Sequence, residues 1–398
     1  MCSLERLAHH LYLPHPHKRP KGLEALAANY TISQVAEGMM ASFGVLFIFE
    51  LGGGGFKGLG LMIGFFSLQR LVTGLTVPMA AGMISSLGYR WTMFWGLSAL
   101  ALKAFLLMEV TTGSLWLLGP ALVLGGFSIA GYYLGYHGIF LNDNDDHKIG
   151  EEIGKITMLG RLALIGSPIL AGFLVDWFSF SVMFGAATFL LLVSILPLFL
   201  MPKHEHNKNE FSFKKSIKMI KKEDGFFKPV FWWHAENGIQ VFFWPVFLFL
   251  ILKSHISFGV IGSLVMVINS IAVYTAGKTY DQRPLRRGFR LTAGLVIFSY
   301  FLRFFSFDLI SAVSADSFNR LASPWWWMKI RRKALIAGEK MEAMVFAAGW
   351  EWAVTLGYLV SLLAGGLILW LSRGAWEWLA VLAGLAVYKA SRSMEKYG

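Results

Sequence analysis

The amino-acid sequence predicts an all-α polytopic membrane protein with twelve transmembrane helices in two pseudo-symmetric six-helix bundles. Three observations lead to this fold class: an apolar composition, long hydrophobic segments and an internal repeat. Of the 398 residues, 56% are hydrophobic and 15% are charged, and the mean hydropathy is +0.55. This charge content is too low to cover a soluble protein of that length. The apolar runs are continuous and lack the alternation of a barrel wall, so helices are predicted.

The repeat consists of three short matches that occur in the same order in both halves of the chain. They pair Glu37 with Glu236, Gly82 with Gly277, and Gly172 with Gly365. Each match lies within or at the end of an apolar run. Ordered matches at a separation of about half the chain indicate duplication of a half-chain unit.

Twelve segments are candidates for spanning helices, which need about 20 mainly apolar residues each. In the first half they are residues 30–50, 58–84, 91–110, 114–140, 153–176 and 179–201. In the second half they are residues 229–252, 256–277, 290–306, 307–328, 342–371 and 374–390.

These segments divide the chain into five parts. We predict a cytoplasmic tail at 1–28, a six-helix bundle at 29–201, a basic linker at 202–228, a second bundle at 229–391 and a short tail at 392–398. The linker mixes lysines with apolar residues, which is typical of a helix lying on lipid headgroups.

The distribution of lysine and arginine predicts the orientation in the membrane. The predicted inner loops and tails hold 27 basic residues, and the opposite loops hold Lys57, Lys253 and Arg373 alone. Basic residues collect on the cytoplasmic side, so both termini are predicted to lie in the cytoplasm. The net charge of +12 is spread over many loops, which argues against a nucleic-acid surface.

Enzyme chemistry finds no support in the motifs. The chain has no H-E-x-x-H motif, phosphate loop or serine elbow, and its single cysteine, Cys2, cannot build a metal site. The G-x-G-x-x-G match at 53–58 joins two spans and follows no strand, so it predicts a hairpin. We therefore expect no cofactor, no metal and no enzymatic activity.

The layout of six plus six spans around a basic central loop resembles the major facilitator superfamily, and two motifs strengthen the likeness. The family's loop between the second and third helices of each half matches Gly277, Asp281 and Arg283. The first-half copy has Gly82 and Arg90 but Ser86 in place of the acid. Pro168 and Gly172 in the fifth span resemble a family signature associated with antiporters; close helix packing explains them equally well.

The resemblance implies that the first, fourth, seventh and tenth helices line a substrate path. Ionisable groups are expensive in a bilayer and usually face a cavity or a partner. The polar residues of these four helices are therefore the predicted substrate and proton pathway: Gln34, Glu37, Tyr132, Tyr133, Tyr136, His137, His234, Glu236, Asn237, Gln240, Asp316, Asn319 and Arg320.

Glu37 and Glu236 occupy equivalent places in the two repeats, so we expect them to meet across a central cavity. A carboxyl group in such a cavity can take up and release protons, and one of the two is predicted to couple transport to protons. The alternative is that both are hydrated near the cytoplasmic face and close an inner gate.

Other charged and aromatic residues suggest gates and membrane anchors. Arg161, Glu351 and Arg70 are candidates for ion pairs between the halves, and Asp316 and Arg320 lie one helical turn apart. Lys103 and Arg303 are expected to reach toward headgroups. Trp232, Trp233 and Trp325 to Trp327 lie at span ends, where tryptophan usually forms an interfacial belt.

The sequence therefore predicts a monomeric secondary transporter of the cytoplasmic membrane, in contact with lipid, that moves a small organic solute by alternating access. Proton coupling is expected, with efflux by antiport slightly favoured. The mixture of side chains on the path suits a polar or cationic solute. The alternative function is a transport-inactive receptor or scaffold that has kept the fold, which the missing acid at Ser86 allows.

Overall fold

The structure is a computed structural model that describes residues 21–142, 149–201, 224–280, 288–338 and 343–396. These residues are helical almost throughout. The first 20 residues and most of the basic linker lie outside them, as do residues 143–148. The predictions for those parts stay predictions.

The N-terminal half contains six helices joined by short connections. They are α1 (Lys21–Leu51), α2 (Gly55–Leu87), α3 (Tyr89–Glu109), α4 (Leu118–Asn142, preceded by the 3₁₀ turn Leu115–Leu117), α5 (Ile149–Trp177) and α6 (Phe180–Ile195, continued by the 3₁₀ turn Leu196–Leu200). The turn between α1 and α2 contains Gly53, Gly54 and Gly55 with φ values of 81°, 66° and 54°. Such positive values favour glycine, so the G-x-G-x-x-G match is a hairpin, as predicted.

The C-terminal half repeats this plan. Its helices are α7 (Asp224–Gly238, a π-helical turn Ile239–Phe243, then Trp244–Leu252), α8 (His255–Tyr280), α9 (Phe289–Phe304), α10 (Leu309–Gly338), α11 (Ala343–Leu371) and α12 (Glu377–Lys396). Pro245 cannot donate a helical hydrogen bond, and the wide turn just before it relieves the clash of its ring with the preceding backbone.

Nine helices of the described residues, α1 to α8 and α11, are long and apolar enough to cross a membrane. Of the other three, α9 has only 16 residues, and α10 and α12 carry several charged side chains. Large apolar side chains point away from the bundles, including Ile310, Leu75 and Trp116, which are 80%, 78% and 73% exposed. Such a surface suits lipid rather than water.

The internal repeat is visible in the packing within each half. Gly38 of α1 lies against Ser167 of α5, and Gly238 of α7 lies against Ser361 of α11. A side chain at either glycine would collide with its serine, so both positions let two helices approach closely.

The two halves meet chiefly along two helix pairs, α5 with α8 and α2 with α11, with smaller contacts of α4 with α11 and of α1 with α7. Gly172 packs on the backbone of His255, and Gly366 packs on Ile63. Farther along, Trp352 Nε1 donates a hydrogen bond of 3.1 Å to the Gly74 carbonyl. We call the end where α1 turns into α2 the outer end, following the predicted orientation. There the halves are in direct contact.

Candidate functional site

Glu37 is the polar centre of the N-terminal half. Its side chain is half-buried on α1, and Oε2 accepts a hydrogen bond of 2.8 Å from the Tyr133 hydroxyl on α4. Oε1 is shielded from solvent and has no hydrogen-bond partner among the described residues. Gln34 is buried one turn earlier on the same helix. One carboxylate oxygen is thus held by tyrosine and the other is unpaired.

The other predicted tyrosines of α4 are bonded within the same half. Tyr132 donates to Asn29 Oδ1 at 3.0 Å, and Asn29 in turn donates to the Ser194 carbonyl at 2.6 Å. The ring of Tyr136 stacks on Tyr30 with centroids 5.2 Å apart. His137 belongs to α4, but its side chain lies outside the described residues. Tyr132 therefore anchors α4 to α1, and Tyr136 forms an aromatic wall with Tyr30.

Glu236 has a different environment in the C-terminal half. It is 2% exposed and accepts hydrogen bonds from Gln240 Nε2, at 2.5 Å, and from the Tyr300 hydroxyl on α9. Gln240 also donates to Tyr300 at 2.9 Å. All of these partners belong to the same half, and no contact of the described residues joins Glu236 to Glu37.

Behind Glu236 lies a buried ion-pair cluster. Asp316 on α10 pairs with Arg303 of α9, and Arg320 Nε lies 3.6 Å from the same carboxylate oxygen. Arg303 is 3% exposed and its guanidinium lies 4.1 Å from the centroid of the Trp244 ring. The prediction that Arg303 reaches toward headgroups is wrong, because the ion pair draws its side chain inward. Asn319 is also buried and donates to Ser299 Oγ at 2.7 Å.

Lys103 on α3 is the cation of the N-terminal half that corresponds to Arg303 on α9. Its Nζ donates a 3.0 Å hydrogen bond to Gln69 Oε1 on α2, so this side chain also turns toward the bundle. Its partner is a neutral amide, however, whereas Arg303 has a carboxylate.

An aromatic contact crosses between the halves near the middle of the bundle. The guanidinium of Arg70 on α2 lies 4.2 Å from the ring centroid of Tyr358 on α11, and the Tyr358 hydroxyl accepts a 2.7 Å bond from Asn237. Glu351 is 4% exposed and is an electrostatic neighbour of Arg70. His234 is buried with Nδ1 at 2.9 Å from the Val230 carbonyl.

The predicted gating and motif residues have several different roles in the packing. Pro168 and Gly172 lie where α5 contacts α8. Arg90 donates to the Met201 carbonyl at 3.1 Å. Arg161 lies 6.0 Å from the Trp327 ring and forms no ion pair with a described residue. A side chain at Gly82 would meet open space, and one at Gly277 would touch Met328. Asp281 and Arg283 lie outside the described residues.

Three tryptophans of the predicted interfacial belt pack against other helices, and one of them is fully buried. Trp326 is fully buried and its Nε1 donates to Ser391 Oγ at 3.0 Å. Trp233 and Trp327 stack almost parallel, with centroids 5.3 Å apart. These side chains face neighbouring helices because the tryptophan runs lie well inside long helices rather than at their ends.

Sequence reasoning missed a cluster that joins the halves at the outer end, which we call the outer latch: Glu50, Asp176 and His255. His255 at the start of α8 lies between two carboxylates, with Nδ1 at 2.7 Å from Asp176 of α5 and Nε2 at 3.1 Å from Glu50 of α1. Asp176 also accepts from the Ile256 amide at 2.9 Å. The only signal in the sequence was the position of these residues at three neighbouring span ends.

The structure also contains a cavity of about 190 Å³ that lies between α7, α9 and α12 toward the outer end. Its lining includes Trp244, Tyr300, Arg303 and Glu377. The described residues offer no group of three or more His, Cys, Asp or Glu side chains that could hold a metal ion.

Comparison with known proteins gives the family and the fold. The model of the Major Facilitator Superfamily matches residues 25–328. A variant of the fucose:proton symporter FucP of E. coli superposes with a TM-score of 0.66 at 12% identity, covering 94% of this chain and 98% of that chain. A variant of the nucleoside transporter NupG gives 0.69 at 14% identity, with 94% and 100% covered. No curated protein matches the sequence. At these identities the two structures establish the shared fold.

Proposed function

The chain belongs to the Major Facilitator Superfamily, and from this premise we propose that it is a proton-coupled secondary transporter of a small organic solute in the cell membrane. Membership and fold make it a multi-pass membrane transporter rather than an enzyme. The proton, the direction of transport and the cytoplasmic placement of both termini belong to the proposal.

The observation that carries the proposal is the unpaired oxygen of Glu37. An ionised carboxylate that is shielded from water needs hydrogen bonds to both oxygens. Among the described residues Tyr133 bonds to Oε2, and the neighbouring Gln34 leaves Oε1 without a partner. Protonation removes the charge at the unsatisfied position. When the bundles separate and water reaches this carboxyl group, it can release the proton again.

Glu236 is the weaker candidate for the proton carrier. Two donors hold its Oε1, and Arg303 and Arg320 lie in the same bundle. Such a fully enclosed group suits a structural role. We therefore assign coupling to Glu37 and structural stabilisation to Glu236, and the predicted meeting of the two carboxyl groups is not part of the mechanism.

The contacts between the halves support a rocking movement of one half against the other. The outer latch and the packing of Gly172 on His255 hold the outer ends together in this state. Breaking these contacts while forming others at the inner end would expose the same central groups to the opposite side. Proton coupling is known in this fold from the fucose:proton symporter. For this chain we propose antiport instead, because Pro168 and Gly172 resemble the family signature that is associated with antiporters.

Proteoliposomes with an imposed pH gradient test the proposal. We would load vesicles with a pH-sensitive dye and add fucose, a nucleoside and a panel of organic acids and amines in turn. A transported solute should move protons in the wild type, and Glu37→Gln should retain solute exchange but lose its response to the gradient. Glu236→Gln is the matched control and should keep that response. Proton movement that is unchanged in Glu37→Gln would contradict the assignment of Glu37.

A further inference from the structure

Two arginines from opposite halves are electrostatic neighbours and have no hydrogen-bond or ion-pair partner among the described residues. Arg161 is on α5, and its guanidinium lies 6.0 Å from the ring centroid of Trp327 on α10. Arg331 follows Trp327 by four residues and therefore lies on the same face of α10. The two arginines are electrostatic neighbours, and both are neighbours of Tyr30. Within the described part of the chain neither forms a hydrogen bond or an ion pair, and Arg161 Nε is buried.

Two described carboxylates of this region bond to other groups. Asp316 serves both Arg303 and Arg320, and Glu37 is bonded to Tyr133. Arg320 is a further electrostatic neighbour of Arg161. Arg161 Nε is buried and Arg331 is partly exposed, and two neighbouring guanidinium groups repel each other unless an anion joins them. Counted over the described residues, this region therefore has an excess of positive charge and unused hydrogen-bond donors.

Aromatic pairs of both halves lie next to the arginines, since Tyr30 is an electrostatic neighbour of both and Trp327 neighbours Arg161. Tyr30 and Tyr136 form a stacked pair on the N-terminal side. Trp233 and Trp327 form a stacked pair on the C-terminal side, with an interplanar angle of 5°. Aromatic walls of this kind accommodate a planar or apolar organic group.

We propose that the solute is an organic anion whose carboxylate or phosphate group bridges Arg161 and Arg331 and whose planar body packs between the tyrosine and tryptophan pairs. The arginine fork binds both kinds of oxyanion with two parallel hydrogen bonds. This inference rests on the proposed function, and it replaces the sequence-based preference for a polar or cationic solute. Because the bridge takes one arginine from each half, binding would also draw the halves together.

Binding to the purified full-length protein tests the inference without requiring transport. Benzoate and phenyl phosphate are the anionic probes, and benzylamine and benzyl alcohol are the cationic and neutral probes of the same size. Quenching of tryptophan fluorescence and thermal stabilisation would report binding. We expect at least one anionic probe to bind, and neither benzylamine nor benzyl alcohol to bind comparably. Arg161→Gln and Arg331→Gln should each weaken anion binding by about tenfold or more, because each loses a charged hydrogen-bond pair.

Arg290→Gln is the matched control. Arg290 is exposed and pairs with Glu395 at 2.6 Å, so this variant should bind the anionic probes like the wild type. Arg161→Lys keeps the charge without the fork and should bind with intermediate affinity. Equal binding of benzylamine and benzoate, no binding of either anion, or unchanged affinity in both arginine variants would overturn the inference.

Transport of the same probes separates this inference from the proposed function. Anion binding that depends on both arginines, without flux under any gradient, would reject the transport function and leave the anion site standing. Flux of some solute that is unchanged in Arg161→Gln and Arg331→Gln would reject the anion site and leave the transport function standing.

Discussion

The carboxyl groups of the two repeats, Glu37 and Glu236, have equivalent sequence positions and different neighbours. Glu37 is half-buried, bonded to Tyr133 of α4 and unpaired at Oε1. Glu236 is buried, bonded to Gln240 and to Tyr300 of α9, and backed by an ion-pair cluster. Glu37 is bonded to α4, which is predicted to line the path. Glu236 is bonded to α9, which is not one of the four helices predicted to line it. The repeats share the residue but not its surroundings.

The largest effect that tests this comparison is expected from the buried ion pair. Asp316→Asn should lower the unfolding free energy by about 3 to 5 kcal/mol, because it leaves Arg303 charged and enclosed. The matched N-terminal change, Gln69→Leu, removes one hydrogen bond to Lys103 and should cost about 1.5 to 3 kcal/mol. Equilibrium unfolding in mixed micelles would compare them. Equal losses of unfolding free energy would mean that the buried cations Arg303 and Lys103 depend equally on their partners.

A smaller and symmetric effect is expected at the glycines that retain the same packing in both halves. Gly38→Ala and Gly238→Ala should each destabilise by about 1 to 3 kcal/mol, since the new methyl group collides with Ser167 or Ser361. Gly44→Ala on α1 is the control, because the added methyl group would meet open space. This change should be neutral or slightly stabilising. Thermal unfolding would measure all three. A loss of stability in only one of the two variants would show that the equivalent glycine contacts do not contribute equally to stability.

The smallest effect concerns the balance between the two ends of the molecule. His255→Ala removes both contacts of the outer latch and should shift the population several-fold toward separated outer ends, as expected for loss of partly exposed charged hydrogen bonds. Spin labels at Thr112→Cys and Phe307→Cys, in a Cys2→Ser background, would report the distance between the halves. Ser254→Ala, which loses a weaker contact to Asp176 at 3.4 Å, should keep the wild-type distribution. An unchanged distance distribution in His255→Ala would show that the outer latch does not control the separation of the outer ends.

The sequence predicted the fold well because spans and repeats depend on local composition. Twelve segments, the six-plus-six plan and the hairpin at Gly53 to Gly55 follow from hydropathy and glycine alone. Helix ends were less predictable: α1 begins at Lys21 and α12 extends to Lys396, since charged end turns remain helical beyond the apolar core.

Partners in the candidate site could not be predicted from one sequence. Tyr300 and Arg303 lie on α9, which is not one of the four helices predicted to line the path, and they reach inward because they bond to Glu236 and Asp316. The same holds for Arg70 and Tyr358, which belong to opposite halves and are 288 positions apart. Such contacts depend on how helices are oriented around their axes, which an apolar composition leaves open.

The π-helical turn Ile239–Phe243 explains how the repeats tolerate a difference in length. Between Glu236 and Phe243 the second repeat contains one residue more than the first repeat has between Glu37 and Phe43. An inserted residue in a regular α-helix would rotate everything after it by about 100°, and the wide turn takes up this residue locally. Phe243 is consequently as fully buried as Phe43. The insertion changed the length of the helix without changing the direction in which its outer aromatic residues point.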